Sequence, residues 1–195
     1  MSIIVGIDEV GRGCWAGPLV AGAVILHSQL PGLKDSKLIP KKRREQLSAT
    51  IMVEAQATGL GWVSADEVDR LGLTEAVRVA MQRALQQLPD MYDQIIIDGS
   101  YNFLADNPKA VAIIKADTSV PSVSAASIIA KVARDGYMVD IHRTYPNYRF
   151  DKHVGYGTKL HAALLKRYGP CQLHRKSYKP VQAVAMTNPT TSGTM

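Results

Sequence analysis

The sequence predicts a single α/β domain, and three observations carry that reading. Short runs rich in Ile, Val and Ala at 3–8, 19–26, 58–63, 94–98 and 110–115 are too brief for helices and read as strands. Longer stretches between and after them carry apolar residues at helical spacing. At 195 residues and 46% hydrophobic content, the chain can remove roughly 70% of its unfolded surface from water around one core. Whole-chain disorder is therefore excluded. Two cysteines, Cys14 and Cys171, without a Cys-x-x-Cys pair, also exclude a disulfide framework or a cysteine-based zinc site within the chain.

Taken in order, the run 3–8 stops at Gly11-Arg12-Gly13, and the run 19–26 follows Pro18. Pro40 is a favoured first helical residue, and Leu47, Ile51 and Met52 continue a helix whose first turn, Lys41-Lys42-Arg43-Arg44, is cationic. The helix dipole disfavours such a turn unless an anion is near. After the strand 58–63, Ser64 with Glu67 three residues on forms a capping box for a short helix. Thr74 is then expected to cap a longer one carrying Val77, Met81, Ala84, Leu85 and Leu88 on one face. The runs 94–98 and 110–115, with apolar interiors, read as buried central strands. Helices are expected over 123–143 and 158–168, the latter before Gly169-Pro170. The expected division is one catalytic domain over 1–184, including a small C-terminal helical part, and a flexible tail over 185–195.

Twenty-three Lys and Arg against seventeen Asp and Glu leave a net charge of +6, compatible with a polyanionic partner. The opening residues carry no basic leader, and the longest apolar run is far short of a membrane span. A cytoplasmic protein without a membrane partner is expected.

Three predicted strands run into an aspartate: Asp8, Asp98 and Asp117. A buried carboxylate must be solvated, capped, paired or metal-bound. Each aspartate alone reads more readily as the start of a turn, a reading that weakens for the three together. If the strands lie side by side, the three converge where α/β sheets bind ligands. Glu9 follows Asp8, and successive strand residues face opposite ways, so both reach one site only if the strand ends, twists or bulges there. Oxygen donors without a matching His or Cys set suit Mg²⁺ or Mn²⁺. Two such ions about 4 Å apart could serve hydrolysis of a phosphodiester. The five histidines show no ligand spacing, and Asp135 beside Arg134 reads as an ion-pair or capping acid. Gly11-Arg12-Gly13 reads as a tight turn that lets backbone approach a substrate, or as a plain turn.

The segments Asp8-Glu9-Val10-Gly11-Arg12-Gly13, Ala16-Gly17-Pro18, Asp35-Ser36-Lys37, Asp98-Gly99, Lys115-Ala116-Asp117, Ser124 through Asp135, His153-Val154-Gly155-Tyr156 and His174-Arg175 together resemble bacterial type 2 ribonuclease H, the ribonuclease HII family. The resemblance runs from Val5 to about Val181, in the family's order. It implies a ribonuclease H-like fold, a mixed five-stranded sheet flanked by helices with a small helical C-terminal part. It implies Asp8, Glu9, Asp98 and Asp117 as catalytic metal ligands for Mg²⁺ or Mn²⁺. The implied reaction is endonucleolytic hydrolysis 5′ to a ribonucleotide in RNA–DNA hybrid or duplex DNA, leaving 3′-hydroxyl and 5′-phosphate, with a role in ribonucleotide removal.

Gly11, Arg12 and Gly13 match the family's loop that senses the ribose 2′-hydroxyl, and Tyr156 matches its tyrosine that stacks on the next sugar. Lys37 and Ser124 resemble phosphate-contacting positions. The resemblance also implies a monomer, and no aromatic C-terminal motif for a sliding clamp is visible. Ala116 stands where many members have Gly, and Cys14-Trp15 where others often have Pro and a smaller residue. Two further readings remain open at this stage. One is a DNA nuclease or strand-transfer enzyme on the same fold; the other is a silent nucleic-acid-binding module, poorly served by 6% aromatics.

Overall fold

A computed structural model describes residues 2–28, 30–33 and 39–187 of the chain. The first apolar run forms β1 (Ile4–Val10), which pairs antiparallel with β2 (Leu19–Ile25), itself antiparallel to β3 (Ala57–Val63). On its other side β1 runs parallel to β4 (Gln94–Asp98), and β4 runs parallel to β5 (Ala110–Ile113). The sheet is therefore mixed, five-stranded and ordered β3-β2-β1-β4-β5, as the resemblance implies. Because β1, β4 and β5 are parallel neighbours, their C-terminal ends share one edge of the sheet.

The helices are α1 (Lys41–Glu54), α2 (Ala65–Leu71), α3 (Leu73–Leu85), α4 (Ala116–Ser119), α5 (Pro121–Ile141), α6 (Phe150–His153), α7 (Lys159–Tyr168) and α8 (Lys179–Thr187), with a 3-10 turn at Pro146–Tyr148. Side-chain alternation along β1 divides the core. Val5 and Ile7 pack with Ala76, Ala80 and Met81 of α3 on one face. On the other face, α5 joins Leu47 and Ile51 of α1 over Val24. The two backbones approach closely there, since a Cβ at Gly6 would overlap Ser122 and Val123.

The Ser64–Glu67 capping box forms as expected: Ser64 Oγ accepts from the Glu67 amide at 3.2 Å, and the Glu67 carboxylate accepts from the Ser64 amide at 2.9 Å. Thr158 likewise caps α7. Two expectations are corrected. Thr74 is no cap; Gly72, at φ +77°, precedes a helix that begins at Leu73. Of the runs 94–98 and 110–115 only the first, β4, is buried, because β5 is the sheet's last strand and leaves Val111 and Ile113 exposed. An apolar run on an edge strand reads in sequence like a central one. Among the described residues no helix is long and apolar enough to cross a membrane.

Candidate active site

Asp8 lies on the α5 face of β1 and is 8% exposed. Its carboxylate accepts the Glu9 amide at 2.7 Å and a hydrogen bond from the Ser127 hydroxyl of α5. Burial, and then the charges of Glu9 and Asp98, push its pKa up to about 8. Glu9 does not sit at a strand end: β1 continues to Val10, with Glu9 opposite Ala21 of β2. The two acids nevertheless line one cleft of about 400 Å³, with Val10, Arg44, Ser127, Lys131 and Tyr156. Burial pushes the Glu9 carboxyl up, and Arg12 opposes that through a contact of 3.1 Å from Nη1 to Oε1. The other oxygen, Glu9 Oε2, is buried without a hydrogen-bond partner.

Asp98 ends β4, and its Oδ1 accepts the Asp117 amide at 3.4 Å. Asp117 is not at a strand end as its sequence context suggests. Strand β5 stops at Ile113, Lys115 turns through a left-handed conformation (φ 57°), and Asp117 sits buried in the first turn of α4. No glycine or proline announces that turn, which is why the run 110–115 reads as one strand.

The Gly11-Arg12-Gly13 turn closes through Cys14 N–H to Gly11 O at 3.3 Å. Gly11 takes φ +92° with the buried Arg134 side chain where a Cβ would point, so glycine is needed there twice over. The Arg12 guanidinium lies over the Phe103 ring, 5.6 Å from its centroid, as well as on Glu9. Gly13 is exposed, with open space where a Cβ would be.

Tyr156 is part of the cleft. Lys131 Nζ lies 5.0 Å from its ring centroid and the Arg134 guanidinium 5.6 Å. Its hydroxyl hydrogen-bonds Cys14, and burial holds its pKa at about 12. Cys14 is itself fully buried, with its thiol pushed up by burial. Ser124 is buried in α5 and lines a second groove with Asp117, Thr118 and Gly32. Lys37 lies outside the described residues.

Several residues at the site were not singled out from the sequence. Ser127 is a buried polar residue on the face of α5 that also carries Val123, Ser124, Ala130 and Lys131, and a buried hydroxyl needs a partner; that was its only signal. Arg44, read in sequence only as part of a cationic first helical turn, reaches the acidic cleft from α1. Asp135 does form the expected ion pairs, with Lys131 at 3.0 Å and Arg134 at 3.8 Å. The largest cavity described, about 560 Å³, is lined by residues such as Tyr92, Asn107 and Lys109. It adjoins the N-terminal ends of β4 and β5, and its two carboxylates, Asp90 and Asp106, are not among the four acids described above.

The acids fit hard cations in two respects and not in a third. Their donors are all oxygens, and one buried carboxylate oxygen has no partner. Asp8 carries a pKa raised by burial and then by the charges of Glu9 and Asp98, and a cation would offset those charges. Among the described residues, however, no three His, Cys, Asp or Glu side chains stand arranged to hold a metal ion. The cluster supplies the chemistry of such a site without being a closed cage.

Comparison with known proteins finds relatives over most of the chain. The ribonuclease HII family profile matches residues 5–181. A ribonuclease HII from Polynucleobacter necessarius subsp. necessarius is 46% identical over 191 residues, covering 93% of this chain and 96% of its own. One from Nitrosococcus oceani is 44% identical over 181 residues, covering 92% and 90%. The crystal structure of ribonuclease H2 from Pyrococcus horikoshii superposes with a TM-score of 0.81 at 25% identity, over 96% of this chain and 99% of that one. The mixed sheet, its acid-bearing edge and these matches together make this chain a member of the ribonuclease HII family, a type 2 ribonuclease H hydrolase.

Proposed function

We propose that this ribonuclease H cleaves on the 5′ side of ribonucleotides in RNA–DNA hybrids and of single ribonucleotides in duplex DNA, leaving 3′-hydroxyl and 5′-phosphate ends. The observation that carries the reading is the buried acidic cleft, with its unpartnered Glu9 Oε2, lined also by Arg44, Lys131 and Tyr156. Asp8, Glu9, Asp98 and Asp117 are the residues that would hold two Mg²⁺ or Mn²⁺ ions. Bound there, such ions supply the positive charge that the attacked and departing oxygens of a phosphodiester require.

The chain's own groups have distinct tasks. Ser127 keeps the Asp8 carboxylate oriented from α5, and Arg12 holds one oxygen of Glu9 while the other stays buried without a partner. The open Gly13 backbone admits a sugar edge, where a 2′-hydroxyl can be read by hydrogen bonding. Tyr156 offers a ring face at the cleft to the neighbouring deoxyribose. Lys131 and Arg44 line that cleft beside the acids, and with Ser124, Lys37 and the rest of the basic run on α1 they are assigned to phosphates of the duplex. The proposed role is removal of ribonucleotides from DNA by a cytoplasmic monomer with one catalytic domain over 1–184.

The test is a nicking assay on duplex DNA carrying one ribonucleotide, with the cut mapped. The expected result is a single cut 5′ to the ribonucleotide in Mg²⁺ or Mn²⁺, absent in Asp98→Asn. Equal cutting of an all-DNA duplex would instead mark a DNA nuclease. Binding that persists in chelator, with no cut in either metal, would mark a silent binding module.

A further inference from the structure

Arg175 is fully buried, and its partners are backbone carbonyls and a phenol rather than a carboxylate. Burying a guanidinium is costly unless its N–H groups are satisfied. Here Nε and Nη2 both donate to Gly17 O, at 3.1 and 3.0 Å. Nη1 donates to Arg12 O at 3.0 Å and to the Tyr178 hydroxyl at 2.9 Å. The Tyr178 hydroxyl donates in turn to Arg12 O at 2.5 Å. The backbone takes part as well, with Arg175 N–H donating to Trp15 O at 2.8 Å. One side chain from the C-terminal part thus holds both ends of the loop that contains Gly11-Arg12-Gly13.

Two donors on a single carbonyl fix the direction of the Arg12–Gly13 peptide plane. No peptide bond described is cis, so in this trans unit the Gly13 N–H points opposite to Arg12 O. The carbonyl is turned inward to the buried guanidinium. The amide is therefore turned outward, at a residue that is exposed and has open space around it. A lysine could not reproduce this hold, because one ammonium cannot span Gly17 O and Arg12 O in the planar fork that arginine provides.

We propose that Arg175 and Tyr178 are positioning residues for ribose recognition, presenting the Gly13 amide outward by pinning the Arg12 carbonyl. This deepens the function proposed above and rests on it. Selectivity for a ribonucleotide is then set partly by the C-terminal segment, more than 160 residues along the chain from the loop it orients.

The test measures binding of two duplexes, one with a single ribonucleotide and one all-DNA, in Mg²⁺ and in an Asp98→Asn background that leaves the substrate intact. Tyr178→Phe removes one of the two donors. It is expected to lower the ribonucleotide-to-DNA affinity ratio about three- to ten-fold, the size of one hydrogen bond, while all-DNA affinity stays within about two-fold. Arg175→Lys is expected to lower the ratio at least as far. If both affinities fall together, or the ratio is unchanged in both variants, the two residues merely stabilise the fold and the proposal is overturned. If the Asp98→Asn parent itself binds the two duplexes equally, it is the proposed substrate reading that fails, and this inference falls with it.

Discussion

Two buried polar regions of this molecule handle their cost in opposite ways. Around the C-terminal part, Arg134 donates to the carbonyls of Pro18 (2.8 Å), Val154 (2.9 Å) and Ala16 (3.2 Å), and Arg175 to those of Gly17 and Arg12. His161 Nδ1 meets Tyr156 O at 2.9 Å, its Nε2 meets His174 Nε2 at 3.1 Å, and His174 Nδ1 accepts the Cys171 amide at 3.0 Å. Neutral imidazoles satisfy this chain if Nδ1–H of His161 and Nε2–H of His174 are the donors. At the acidic edge of the sheet, by contrast, carboxylates crowd one another, Asp8 is pushed up to about 8 and Glu9 Oε2 has no partner. A satisfied polar network acts as scaffold. An unsatisfied one, retained in a buried cleft, marks where a ligand's charge is needed.

The largest effect expected from this contrast is on activity. Asp98→Asn should lower the nicking rate at least about a hundred-fold, because cations supply several kcal/mol to phosphodiester hydrolysis. A single-turnover assay checks it, and unfolding should show the variant still folded. On the scaffold side the effect should fall on stability instead. Arg134→Ala leaves three backbone carbonyls without their donor and should cost about 3 kcal/mol or more, measured by urea unfolding.

A third difference is the response to acid. His161 and His174 are held at about 4 and about 3 by burial, below the ordinary 6.5, with His153 lowered too. Their folded pKa values are depressed, so the unfolded chain binds more protons below pH 6.5. Their contribution to stability is complete above that pH and is lost as pH falls toward the folded values. Urea midpoints should therefore drop between pH 6.5 and 4, and the drop should shrink in His161→Phe. The smallest effect expected is from Ser127→Ala. Losing one hydrogen bond to Asp8 should slow nicking by about three- to ten-fold with little change in stability.

Legibility in the sequence divides along the same line. Asp8 and Asp98 are readable because each ends or interrupts a short apolar run, and such a carboxylate demands an explanation. Asp117 is singled out from the sequence but placed on the wrong element, since the turn at Lys115 has no sequence marker. The Ser64–Glu67 box is visible because its partners are three residues apart. Arg134 and Arg175 are invisible because the carbonyls they hold lie more than 100 residues away in sequence, at Ala16, Pro18, Gly17 and Arg12. The histidines show no ligand spacing, and only the packing of α6, α7 and the 171–175 segment stacks His153 on His161 at 4.2 Å and sets His174 beside them. Local pairings are written in the sequence; long-range ones require the fold.

The central claim is that the acidic cluster is short of positive charge that divalent cations supply. Thermal unfolding of wild type and Asp8→Asn at pH 8, in chelator and in Mg²⁺, tests it most directly. In chelator, Asp8→Asn should be more stable than wild type by about 1 kcal/mol or more, because it removes a carboxylate whose ionisation burial, and then the charges of Glu9 and Asp98, oppose. In Mg²⁺ wild type should gain stability by mass action, and the variant should gain less. An Asp8→Asn protein that is less stable in chelator, with Mg²⁺ raising both proteins equally, would contradict the account.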